Sequence, residues 1–114
     1  MLGTIKKLFH IFFVGGLLLY VASTRENTQE FVYNLLVILG IVVFIVHAWI
    51  AYSMKKPHLL WVNYIHMVYV APLLVYVGYR KNKTERMYYE MLLLIAFSAI
   101  GYHAYYLFLG FTKK

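Results

Sequence analysis

The sequence predicts an all-α membrane protein with four transmembrane helices, laid out as two tandem helical hairpins of like orientation. Two observations predict this. The first is composition. Of 114 residues, 63% are hydrophobic and 13% are charged, more apolar surface than a small soluble domain can hide. The charges fall at the termini and in three short loops, leaving four apolar runs between them. The second is an internal repeat at an offset of 56 residues. His10 aligns with His66, Val14 with Val70, Leu17 and Leu18 with Leu73 and Leu74, and Tyr20 and Val21 with Tyr76 and Val77. The match continues through Thr28 and Thr84, Tyr33 and Tyr89, Leu36 and Leu92, to His47-Ala48 and His103-Ala104. Residues 10–48 and 66–104 share 11 identities over 39 ungapped positions. One transmembrane domain is expected over residues 1–114, with repeat one over about 1–56 and repeat two over about 57–112.

The expected spans are about 5–23, 31–54, 59–79 and 87–111. The first apolar core, Leu8 to Ser23, is short at about 24 Å of helix. It spans once Leu2 and Ile5 enter the membrane and Lys6 and Lys7 extend their amines back toward the headgroups. Two lysines, a short apolar core and Val-Ala-Ser also suit a cleaved leader. The repeat favours retention, because the equivalent run at 59–79 is internal. Loop one, Thr24 to Glu30, offers Thr28 as an N-cap for the second helix, and Thr84 is its equivalent before the fourth. Lys55, Lys56 and Pro57 end the second run, since proline is poorly tolerated inside a helix. The tight connection there makes helices two and three antiparallel neighbours. Asn82-Lys83-Thr84 is formally a glycosylation sequon, but it lies too close to two spans to be expected to carry glycan.

Each hairpin returns the chain to its starting side, so the repeats share an orientation and an axis along the membrane normal. The N- and C-termini then lie on one side, together with His10, His47, His66 and His103. Lys6, Lys7, Lys55, Lys56, Lys113 and Lys114 flank that side, and Arg25, Arg80, Lys81, Lys83 and Arg86 flank the other. Six cations against five favour a cytoplasmic histidine side by the positive-inside rule. This division also argues against a nucleic-acid surface, which needs its cations on one face. Cysteine is absent, which excludes disulfides, thiolate metal sites and cysteine nucleophiles.

The four histidines are the main candidates for chemistry. Intramembrane ionisable groups are costly and mark functional sites. A ring of imidazoles at one depth would bind a transition metal, ligate haem, or relay protons. Singly, each also fits the ordinary role of a neutral side chain that hydrogen-bonds between helices. Gly15-Gly16 and Ala71-Pro72 stand at equivalent points of helices one and three. Matching interruptions in two halves point to a binding or permeation site, so Gly15, Gly16 and Pro72 are candidate gating positions, although glycine also simply lets helices approach. On helix two, Tyr33, Gly40, Phe44, His47 and Ala51 share a face, matched on helix four by Tyr89, Ala96, Ile100, His103 and Leu107. Trp49, Tyr52, Trp61 and Tyr64 read as one aromatic belt, Tyr79, Tyr88 and Tyr89 as another. Tyr102, Tyr105 and Tyr106 surround His103. His58 reads as interfacial. Ser98 has no histidine–acid partner, and no histidine pair has metalloprotease spacing, so hydrolysis is unsupported. Val77-Gly78-Tyr79 is only a fragment of a potassium filter and lies inside a helical run.

These features point to a small multi-pass membrane protein with a histidine-lined site in one leaflet, holding a metal or haem or passing protons. The alternatives are a structural or assembly protein without catalytic activity, and an oligomeric transporter of small solutes or ions. The expected partners are the lipid bilayer and either further copies of the chain or another membrane protein.

Overall fold

Inside a bilayer no water satisfies backbone N–H and C=O groups, so an apolar run of this length folds as a helix. The computed structural model describes residues 2–53 and 60–112, and its regular elements are helical throughout. The expected stop at Lys55–Pro57, the interfacial His58, and Lys113 and Lys114 lie outside the described residues.

In chain order, α1 (Leu2–Phe9) passes through a π-helical turn (His10–Val14) into α2 (Gly15–Thr24), and a short 3₁₀ turn (Arg25–Asn27) follows. The second run is the unbroken α3 (Glu30–Ser53). The third is α4 (Leu60–Ile65), a second π turn (His66–Val70) and α5 (Ala71–Arg80), followed by a 3₁₀ turn (Lys81–Lys83). The fourth is α6 (Arg86–Thr112). Among the described residues, three stretches are long and apolar enough to cross a membrane: Thr4–Asn27, Glu30–Ser53 and Arg86–Gly110. The protein is thus an integral, multi-pass helical protein. Four such stretches were expected. The third run is helical but is not among the three; its described part carries Asn63, His66 and Pro72 and begins only at Leu60.

The irregularities repeat as faithfully as the sequence does. Both π turns start at a histidine, and each closes with a bond spanning five residues, from the Gly15 N–H to the His10 carbonyl and from the Ala71 N–H to the His66 carbonyl. Proline is not the cause, because Gly16 stands in helix one where Pro72 stands in helix three. Arg25 and Lys81 end α2 and α5 with φ of 50° and 56°, a conformation costing a side-chain-bearing residue about 1–3 kcal/mol. In both, the backbone N–H still reaches the carbonyl four residues back, Val21 and Val77.

Thr84 does not cap α6. Its buried hydroxyl donates backward to the Lys81 carbonyl at 2.7 Å and the Val77 carbonyl at 3.4 Å, so it closes α5 rather than opening α6. The first turn of α6 is instead received by the Glu85 carbonyl, from Tyr88, and in α3 the Gln29 carbonyl receives Val32 and Tyr33.

The helices pack as two compact units that cut across the repeats. One unit holds α3, α4 and α5; the other holds α1, α2 and α6 from Tyr89 onward. Within the first unit, Gly78 lies so close to α3 that a Cβ there would meet Val37 Cγ2 at 2.5 Å and the Tyr33 carbonyl oxygen at 2.6 Å. Gly40 approaches α5 similarly, its Cβ position lying 2.7 Å from Val75 and 3.0 Å from the Ala71 carbonyl oxygen. Within the second unit, Gly15 packs under Ile100 of α6. Gly40, on the shared face of helix two, thus admits close approach of a neighbouring helix, and Gly78 does the same from the other side.

Buried residues obey the same offset: Leu18 and Leu74, Val21 and Val77, Tyr33 and Tyr89, Leu36 and Leu92 are all buried. They occupy the halves of the helices next to loops one and three. Toward the histidines, large side chains such as Phe12, Phe44, Trp49 and Tyr105 are exposed, as suits surfaces turned to lipid.

Candidate functional site

The four histidines form two pairs, one within each unit. In the α3–α5 unit, His47 and His66 stack face to face, with ring centroids 4.2 Å apart and planes 2° from parallel. In the other, His10 and His103 meet at 4.4 Å with planes tilted by 32°. The offset of 56 maps one pair onto the other, His10 to His66 and His103 to His47. All four rings are half-buried. Sequence position alone could not show this pairing, because it joins residues from different repeats.

Helix geometry explains why each pair meets. His47 lies about 25 Å along its helix from Glu30, and His66 about 22 Å from Lys81. Lys81 Nζ sits 3.4 Å from Glu30 Oε1, so the two antiparallel helices are in register at one end and bring the rings level at the other.

Two of the rings have a defined tautomer. His10 Nδ1 lies 2.8 Å from the Lys6 carbonyl oxygen, and His47 Nδ1 lies 2.8 Å from that of Val43. A carbonyl oxygen only accepts, so Nδ1 carries the hydrogen and donates it. The lone pair is then on Nε2, and that atom alone is basic on each ring.

The donor set limits cofactors. A bis-histidine haem holds its iron between two nitrogens at bonds of about 2 Å, which puts the ring centroids on the order of 6 Å apart. At 4.2 and 4.4 Å, neither pair has that spacing. A metal ligand's lone pair lies in its ring plane, and the parallel planes of His47 and His66 do not meet on one ion. Among the described residues, no group of three or more His, Asp or Glu side chains comes together to hold a metal. The four acidic residues, Glu26, Glu30, Glu85 and Glu90, all belong to loops one and three or the turns next to them.

Beside His103 is a cavity of about 390 Å³ lined by Lys6, Lys7, Tyr102 and Tyr106, with Leu109 and Gly110 as an apolar wall. Tyr102 meets the His103 ring edge-on at 5.3 Å and packs against Tyr106 at 5.0 Å. Sequence reasoning placed the tyrosines around His103 but treated Lys6 and Lys7 only as flanking charges. The signal that finds them is register: an antiparallel pairing that sets residue 10 beside 103 also brings 6 and 7 beside 106 and 107.

Gly15 and Ala71, each the first residue after a π turn, are buried, whereas Gly16 and Pro72 are exposed. The Val77-Gly78-Tyr79 fragment is helical, and its glycine serves close packing.

Compared with known protein families, curated proteins and solved structures, the chain matches none. The fold itself defines the class, a small multi-pass helical membrane protein.

Proposed function

We propose that this is a four-span membrane protein whose two histidine pairs handle protons near one face of the bilayer. The observation that carries this reading is the fixed tautomer. With Nδ1–H given to the carbonyl four residues back, His10 and His47 each offer one basic atom, Nε2, held against a second imidazole. Imidazole exchanges protons in the physiological range more readily than any other side chain. Two imidazolium charges about 4 Å apart repel strongly in a medium of low polarity. Among the described residues, Lys6, Lys7, Tyr102 and Tyr106 line the cavity beside His103. The four glutamates all belong to loops one and three or the turns next to them, away from the histidines along each helix, which suits a site that must release its proton. The π turn that starts at His10 and at His66 adds weight, since such turns concentrate at functional positions.

The reading includes a membrane crossing by α4 and α5. From Leu60 to Arg80 the helical run is about 30 Å long, the thickness of a hydrocarbon core.

The test is proton flux into liposomes containing the purified protein, driven by an imposed potential. Wild type should acidify the lumen, and the His47→Gln/His103→Gln variant should be slower by tenfold or more. Empty-vesicle rates from correctly inserted wild type would sink the proposal. The same ring stacks and the Lys81–Glu30 pair also hold helices together, which supports a structural or assembly role as the second reading. That reading wins if the double variant melts earlier while wild type carries no flux. Metal analysis of the same preparation tests transition-metal binding at the tilted His10–His103 pair.

A further inference from the structure

We propose that the cavity at Lys6, Lys7, Tyr102, His103 and Tyr106 is a binding site for the phosphate of an anionic lipid headgroup. The proposal rests on the membrane spans and the cavity and does not depend on proton handling. Four observations carry it.

The cavity lies at the end turns of two stretches able to cross the membrane, Thr4–Asn27 and Arg86–Gly110, which is headgroup level. Two amines line it, with two phenols and an imidazole able to donate hydrogen bonds, a donor set suited to phosphate oxygens. Its volume of about 390 Å³ holds a phosphoglycerol group, and Leu109 and Gly110 give the start of an acyl chain an apolar wall. Finally, charge is distributed unequally along the spans. All four acidic residues lie in sequence with Arg25, Arg80, Lys81, Lys83 and Arg86, for a net charge of 5 − 4 = +1, while Lys6 and Lys7 at the cavity have no acidic neighbour in sequence. A basic pocket between membrane helices with no competing carboxylate attracts anionic lipid.

Lys6 serves two groups at once. It lines the cavity, and its carbonyl accepts the His10 Nδ1 hydrogen bond. A headgroup that orders the first turns of α1 therefore bears on the ring that pairs with His103.

The experiment titrates detergent-purified protein with phosphatidylglycerol, phosphatidylcholine or inorganic phosphate and follows bound lipid by native mass spectrometry. Phosphatidylglycerol should bind preferentially, and millimolar inorganic phosphate should not displace it. At about fivefold per lysine near a membrane surface, Lys6→Gln/Lys7→Gln should weaken binding roughly twentyfold. Gly110→Leu is a second variant, since a Cβ at Gly110 meets nothing within 4 Å; it should fill the cavity and weaken binding with helix content unchanged. Lys83→Gln, in loop three, should bind as wild type does. Equal binding of the two lipids, full displacement by inorganic phosphate, or wild-type binding by both cavity variants would overturn the assignment.

Discussion

At the scale of the residue, Gly78 and Gly16 show that glycines alike in sequence do different work. An added methyl at Gly78 would collide with Val37 and with the Tyr33 carbonyl oxygen. At Gly16 it would meet nothing within 4 Å. Gly78→Ala should therefore cost about 1–3 kcal/mol through overpacking against a backbone that cannot yield. Gly16→Ala should be neutral or gain up to about 1 kcal/mol from helix propensity. Chemical unfolding of both variants in micelles measures the difference, and equal stabilities would show that α5 does not pack on α3 through Gly78. The contrast was hidden from sequence reasoning, which singled out Gly15, Gly16 and Gly40 and read Gly78 only as part of a filter-like tripeptide. A helical glycine reveals its use only when the neighbouring helix is in place.

At the scale of the element, loop three is held by a network that loop one does not share. Tyr76 donates its hydroxyl to the Glu85 carboxylate at 3.1 Å, and Arg80 pairs with the same carboxylate at 3.4 Å. Glu85 is held below the ordinary carboxylate value of 4.5, chiefly by a hydrogen bond from its own backbone N–H; desolvation opposes this, and Tyr76 and Arg80 add to the lowering. A group whose value is depressed on folding stabilises the fold above its unfolded value, and that contribution is lost as pH falls through the folded one. The melting difference between wild type and Glu85→Gln should therefore be largest at neutral pH and shrink on acidification below 4.5. A difference that stays constant down to strongly acidic pH would show that the carboxylate's charge plays no part. The carboxylate is exposed, so the effect is small. Residue 29, its repeat equivalent, is Gln, so loop one has no counterpart of this carboxylate. The π turns belong to this scale too. Gly15-Gly16 and Ala71-Pro72 were read as breaks; the helices are instead continuous and widened over the five residues before them.

At the scale of the whole molecule, the four-span reading has a direct test, made simple by the absence of cysteine. If α4 and α5 cross the bilayer, loops one and three emerge on the same side. Asn27→Cys and Lys83→Cys, each in otherwise cysteine-free protein, should then react together with an impermeant maleimide added outside sealed vesicles, or be protected together. Reaction of one with protection of the other would mean that the third run does not cross.

The sequence by itself determined the helical, membrane-embedded class, the repeat, and the level of each histidine along its helix. These follow from local quantities: the apolar content of a run, the rise per residue, and identity at a fixed offset. Tertiary structure decided which helices pair, and so which histidines meet. The tight connection after the second run already set helix two beside helix three, as the α3–α5 unit has them, whereas the repeat suggests one with two and three with four, and the compact units instead join α1–α2 with α6. Apolar patterning does not distinguish these partners, because in lipid every face of a span is apolar and the contacts are chosen by where small residues allow close approach. Gly78 against Val37, Gly40 against Val75 and Gly15 against Ile100 make that choice here, and the pairing of His47 with His66 and of His10 with His103 follows from it.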